Sequence, residues 1–420
     1  MKKLEEIMQL MEIGEVDNAL QLLTEYLKTA TDDEKFTVSE LYAQFGFFEE
    51  AVEILNELLK KYGQEGQIIT KLAELYIELE KDDLAIELLN SVPEDDPFYV
   101  PTLLNLADLY EAQGLFEVSE QKLFAAKEIF PDEIIIDYAL AELLFSIGKM
   151  NRAIPFYEKV LTELDHVNEV SIEERLAESY AMIGQYEKAL AHYSQMNSKD
   201  PDSLFKYGMT AYQQKRHELA IQVWKELLEL DPYYHTAYVE LANVQKEAGM
   251  TVEAYETIQK GLHYDDYDKA MYLLAGQLAA QLNNLSEAIE YFEQAIALDA
   301  DYQEAILSLV ALYRKEDNEE AIVQLLEQDD ILQNEEPIYY WELAKAHNEL
   351  ENYQQAKKYY DDAYVYLTHD GDFLKEYGYF LLEEGMQTEA IHVLQKYIKI
   401  DPLDEEVIQL IERINDANFD

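Results

Sequence analysis

Apolar and polar positions along this chain follow the period of paired helices. In the stretch 103–131, Leu103, Leu106, Ala107 and Tyr110 recur at i, i+3, i+4 and i+7, so they share one helix face. Ser119, Leu123 and Ala126 do the same on a second helix. Gly114 lies between them where the turn needs a positive φ, and Pro131 closes the second helix because proline cannot continue it. Two helices this short cannot bury their apolar stripes alone, so the pair must stack on copies of itself.

The copies are there. A small residue on the first helix recurs as Ser39, Ala73, Ala107, Ala141, Ala177, Gly208, Ala242, Gly276, Ala344 and Gly378. Twelve residues later come Ala51, Ala85, Ser119, Ala153, Ala189, Ala220, Ala254, Ala288, Ala356 and Ala390. Most successive copies are 34 residues apart, and with two atypical ones they make twelve. Where two helices cross closely, a side chain larger than alanine would hold the backbones apart. Bulky groups such as Tyr42, Tyr76, Tyr157, Trp224 and Phe292 then fill the space beside each crossing, which gives most of the 33 tyrosines a core role.

The 34-residue period, the paired small positions and the closing Asp96-Pro97, Phe130-Pro131, Asp200-Pro201, Asp231-Pro232 and Asp401-Pro402 resemble tetratricopeptide (TPR) repeats. The resemblance runs from about Leu4 to Pro402 and is similar in particular to the all-TPR cytoplasmic proteins of low-GC Gram-positive bacteria. It implies an all-α fold, a right-handed superhelical α-solenoid of about twelve helix pairs, whose first helices line a groove for peptides or protein segments. A five-repeat N-terminal array over 1–165 is expected to continue into a seven-repeat array over 166–402, with a capping helix and tail at 403–420.

Departures from the period mark irregular places. The first copy has Ile7 at the small position and reads as a cap. The tenth has Val310 there, and its alanine, Ala321, comes one residue early after a shortened turn at Asn318, so it should pack less regularly. The long polar linker 162–174 and the compressed one 196–205 predict a change of curvature between the two arrays.

Charge narrows the choice of partner. With 87 acidic and 32 basic residues the formal charge is −55, which repels nucleic-acid backbones and anionic membranes. That charge serves either solubility and salt adaptation or a charge-selected partner. There is no cysteine, so disulfides and thiolate metal sites are excluded and a reducing compartment, the cytoplasm, fits best. Glu5, Glu6 and Glu12 interrupt any signal-peptide core, and no apolar run approaches the roughly 18 residues of a membrane span. The eight histidines show no i, i+4 pairing, and neither a phosphate loop nor an acidic cation loop is present. No enzyme, no metal and no cofactor is therefore expected.

The groove carries the functional reading. One step past the small position stand Glu40, Glu74, Asp108, Glu142 and Glu178, an acidic ladder that ends at the spacing break. Either these carboxylates keep an exposed face wet, or they offer a negative track to a basic, extended peptide, with Phe36, Tyr138 and Phe145 beside them to stack on arginine. The C-terminal groove instead presents Phe205, Met209, Tyr212, Asn243, Lys246, Arg314, Trp341 and Lys345, a surface for an acidic or apolar segment in which Trp341 reads equally as core. The expected function is a non-enzymatic scaffold that binds a peptide or protein segment. The alternative is a regulator whose repeats close around a short signalling peptide.

Overall fold

The computed structural model describes residues 2–196 and 200–417. Among them are 26 helices: twelve consecutive pairs, one four-residue helix Asp329–Leu332, and the terminal helix Glu405–Ala417. The chain forms two compact units, Met1–Ser198 and Lys199–Asp420. The division between them falls inside the compressed linker. Residues 197–199 of that linker, and 418–420 of the tail, lie outside the described residues.

The longer linker has a structure of its own, which explains why the first unit continues past it. His166–Val167 pairs antiparallel with Val170–Ser171, and Ile172 N–H donates to the Asp165 carbonyl at 3.0 Å. Ser171 then caps the helix Ile172–Met182 by accepting from the Glu174 N–H. The polar composition of 162–174 signalled a loop; a two-residue ladder is too short to leave an alternating pattern.

Inside each pair the small residues sit at the crossing. Ala51, Ala73, Ala85, Ala141, Ala153, Ala177, Ala220 and Ala242 are fully buried, as are Ser39 and Ser119. A Cβ at Gly276 would lie 2.6 Å from the Phe292 ring, and one at Gly378 would fall on the Leu394 side chain. The inter-helix turn places its key residue seven positions after the small one. That residue has positive φ in every copy, for example Gly114 (φ 73), but Glu80, Lys215, Asn283, Asp317 and Glu351 occupy it without being glycine. A non-glycine residue there costs about 1–2 kcal/mol, and the extra unfolded-state freedom of glycine returns about 0.5–1. Glu351→Gly should therefore stabilise by roughly 0.5–1 kcal/mol in urea unfolding; a loss of stability would show that this turn is not strained.

The tenth copy is irregular, but not through the shortened turn expected. Asp317 takes its positive φ seven positions after Val310 and the second helix starts nine after it, as in the other copies. The crossing position therefore falls on the fully buried Ile322, while Ala321 is only half-buried. Val310 is buried, and the second helix of the pair is only Glu319–Leu326, capped by Asn318, whose side chain accepts from the Ala321 N–H. The chain then turns into Asp329–Leu332 before the next pair begins at Pro337.

Surplus carboxylates find their partners largely among tyrosines. Tyr180 Oη donates to Glu158 at 2.6 Å, Tyr212 to Glu247 at 2.6 Å, Tyr359 to Glu327 at 2.8 Å and Tyr377 to Asp361 at 2.5 Å. A bulky ring thus fills the gap beside a helix crossing while its hydroxyl holds an acid, and at Asp361 Lys357 shares the carboxylate at 2.7 Å. The most deeply buried acid among the described residues, Asp137, 1% exposed, is reached by Lys127 at 2.6 Å and Lys159 at 2.7 Å.

Candidate functional site

First helices form the shared face on which the expected site residues lie. In the first unit Gly66–Glu78 touches Tyr99–Ala112 as well as its own second helix. In the second unit His235–Glu247 touches Lys269–Gln281, which in turn touches Gln303–Lys315. A residue one step past each buried crossing therefore recurs beside its counterpart on the next first helix.

In the first unit the acidic ladder divides into open and occupied rungs. Glu40 and Glu74 are exposed and line one recess of about 360 Å³ with Phe48, Leu75 and Glu78. Among the described residues the only cation on that recess is Lys71, which pairs with Glu74 at 2.7 Å on the same helix. Asp108 is exposed too, yet partial burial and then the neighbouring Glu111 hold its pKa above the ordinary carboxylate value. A carboxylate in that position is short of positive charge.

The next two rungs are already filled. Arg175 reaches Glu142 with two parallel bonds, Nε to Oε1 at 3.0 Å and a terminal nitrogen to Oε2 at 3.1 Å. Its other terminal nitrogen lies 3.4 Å from Glu178, and its guanidinium stacks 4.7 Å from the centre of the Phe145 ring. Tyr157 Oη also donates to Glu142 at 2.5 Å, and Tyr138 is half-buried beside the pair. Glu142, Glu178, Tyr138 and Phe145 are thus brought together around an arginine of the same chain. Glu178 is buried, so it is no open rung. Phe36 lies apart from the ladder, half-buried on a different recess with Leu58 and Tyr62 of the second helix.

Arg175 stands two residues before the small position, where the other ladder copies carry Thr37, Lys71, Asn105 and Ala139. An arginine at that offset, one repeat beyond a glutamate, was the signal in the sequence for this cross-repeat pair; Lys71, at the same offset beyond Glu40, turns to Glu74 instead. The geometry is that of a strong charge-assisted fork with an aromatic platform.

The second unit's candidate residues are more fully engaged. Phe205 packs on Trp224 and Tyr234 at ring separations of 6.2 and 5.2 Å, and its carbonyl accepts from the Trp224 indole N–H. Tyr212 donates to Glu247, Met209 and Asn243 are half-buried, and Lys246 lies 3.5 Å from Gln277. Arg314 and Lys345 both bind Glu342, at 2.6 and 2.8 Å, and Arg314 also reaches Glu319. Trp341 donates its indole N–H to Glu376 at 2.8 Å, meets the Phe373 ring edge-on and carries the Lys345 ammonium 4.0 Å from its ring centre. The positive concentration expected here is thereby neutralised by the chain's own glutamates, and Trp341 belongs to the packing. A recess of about 560 Å³ remains beside these residues, with Leu307, Val310, Ala311 and Ile338 on its walls and Lys315 at its edge.

Among the described residues no helix is long and apolar enough to cross a membrane, and no cluster of potential metal ligands occurs.

Comparison with known proteins agrees with this repeat architecture. Family models match at residues 337–404 (YpiA-like, C-terminal tetratricopeptide repeats), 111–164 (YpiA-like, tetratricopeptide repeats) and 42–101 (tetratricopeptide repeat). The chain is 37% identical over 415 residues to the TPR repeat-containing protein YpiA of Bacillus subtilis, covering 98% of both chains. It is also 26% identical to human DnaJ homolog subfamily C member 7, over 41% of this chain and 37% of that one. Among solved structures, that of YrrB, a TPR protein with an unusual peptide-binding site, aligns with 44% of this chain and 96% of its own at 20% identity and a TM-score of 0.39.

Proposed function

Because the chain belongs to the YpiA-like family of tetratricopeptide-repeat proteins, we propose that it is a protein-interaction scaffold whose N-terminal first-helix face binds an extended, basic segment of another polypeptide. The observation that carries this reading is Arg175. It occupies its place between Glu142 and Glu178, on the Phe145 ring, as an arginine of a bound peptide would, while the preceding rungs Glu40, Glu74 and Asp108 hold exposed carboxylates. The preformed face leaves most of the ordering cost to the flexible partner, and the surrounding negative field speeds encounter with a basic one.

The test separates position from overall charge. A capped peptide of alternating arginine and glycine is titrated into the full chain by calorimetry. Glu40→Lys, Glu74→Lys and Asp108→Lys together should weaken binding at least about tenfold. Glu53→Lys, Glu87→Lys and Glu117→Lys change the net charge equally at exposed positions of second helices; they should weaken it by less than about threefold. Equal losses in the two sets would mean that only the net charge attracts the peptide. Glu142 is left unaltered because its substitution would strand Arg175.

A further inference from the structure

Outside the first-helix face, the tenth repeat opens a second surface. Four second helices of this unit, His217–Leu230, Thr251–Tyr264, Leu285–Leu298 and Gln387–Ile400, run for 14 residues, whereas Glu319–Leu326 runs for 8. Between the last turns of Leu285–Leu298 and this shortened helix lies a recess of about 410 Å³. Its floor is aliphatic: Ile296, Leu325 and Ile331 are each less than a tenth exposed, with Ala297 on the wall. Glu293 and Asp330 also line it, and no basic side chain does so among the described residues. Among the described residues each of these acids has only a long contact, Tyr313 to Glu293 at 3.4 Å and Gln333 to Asp330 at 3.4 Å.

Two features have to be met together, an apolar floor and carboxylates left without cations. A purely aliphatic side chain would satisfy the first and bring nothing to the second; an acidic one would be repelled. A lysine or arginine satisfies both, because its methylene stem lies along apolar surface while its charged head reaches the acids. We propose that this recess takes a lysine or arginine side chain of a partner polypeptide, as a contact point on the second-helix side that is independent of the acidic ladder.

The test uses the full chain with ¹³C-labelled isoleucine δ1 methyls and a capped Gly-Gly-Arg-Gly-Gly peptide. Saturable shifts of the Ile296 and Ile331 methyls are expected. They should vanish in Ala297→Trp, which fills the recess from an exposed position, and the affinity should fall at least about tenfold in Glu293→Gln with Asp330→Asn, a pair that preserves shape. Glu74→Lys with Asp108→Lys, which disables the ladder, should leave these shifts as they are, so this proposal and the ladder reading fail separately. Absent shifts, shifts that survive both recess variants, or equal shifts with norleucine in place of arginine would overturn the proposal.

Discussion

Gly208→Ala should destabilise the full chain by about 2 kcal/mol, although alanine is better than glycine in a helix interior by about 1 kcal/mol. The sign is decided at the crossing. A Cβ on residue 208 would fall on the Trp224 indole nitrogen and lie 2.5 Å from Cε2, and Trp224 is fully buried and held by its bond to the Phe205 carbonyl. A ring boxed in by Phe205 and Tyr212 has no room to swing aside. Trp224→Phe alone should also destabilise by creating a void, but in the double variant the added methyl enters that void. The two losses should then add to less than their sum by at least about 1 kcal/mol. Additive losses in urea unfolding would show that residue 208 does not sit at the helix contact.

Raising the pH from 10 to 12 should remove most of the chain's stability. Tyr180 and Tyr234 are pushed up to about 12, first by burial and then by their bonds to Glu158 and Asp202; Tyr397 follows the same order with Asp404. Tyr212 reaches about 12 chiefly through its bond to Glu247, with burial second. In each case the folded-state pKa lies above the unfolded value of about 10. The stabilisation is therefore complete below pH 10 and is lost as the pH climbs towards the folded-state values. Above that range each hydroxyl donor becomes a phenolate facing a carboxylate, in a chain already at −55. Melting temperatures should fall steeply across this window, with tyrosinate absorbance rising together with loss of helicity. Absorbance that titrates near pH 10 while the helices persist would contradict it.

The helix pairs and their crossings were readable in the sequence because the steric demand recurs: alanine, serine or glycine, as at Ala73, Ser119 or Gly276, leaves the same mark in ten of the twelve copies. The bulky Val310 marked the tenth pair as irregular, but the shortened turn expected at Asn318 is of ordinary length, and the four-residue helix after the pair carries no period of its own. The ladder was legible as a row of acids, but its division into open and filled rungs was not. That division depends on where one long side chain, Arg175, folds back across a repeat. The tyrosines show the same limit. Their rings followed from volume, whereas the acids their hydroxyls hold lie mostly 15 to 35 residues away in sequence. Trp341 read equally as ligand-facing and as core until its N–H was seen bound to Glu376.

Hydrogen exchange of the full chain with and without the capped arginine-glycine peptide tests the central claim, that the first helices of the N-terminal unit are the binding wall. Slower exchange is predicted in Gly66–Glu78 and Tyr99–Ala112, with Asp82–Leu89 and Phe116–Ile129 unchanged. Protection confined to those second helices, or none at saturating peptide, would contradict it.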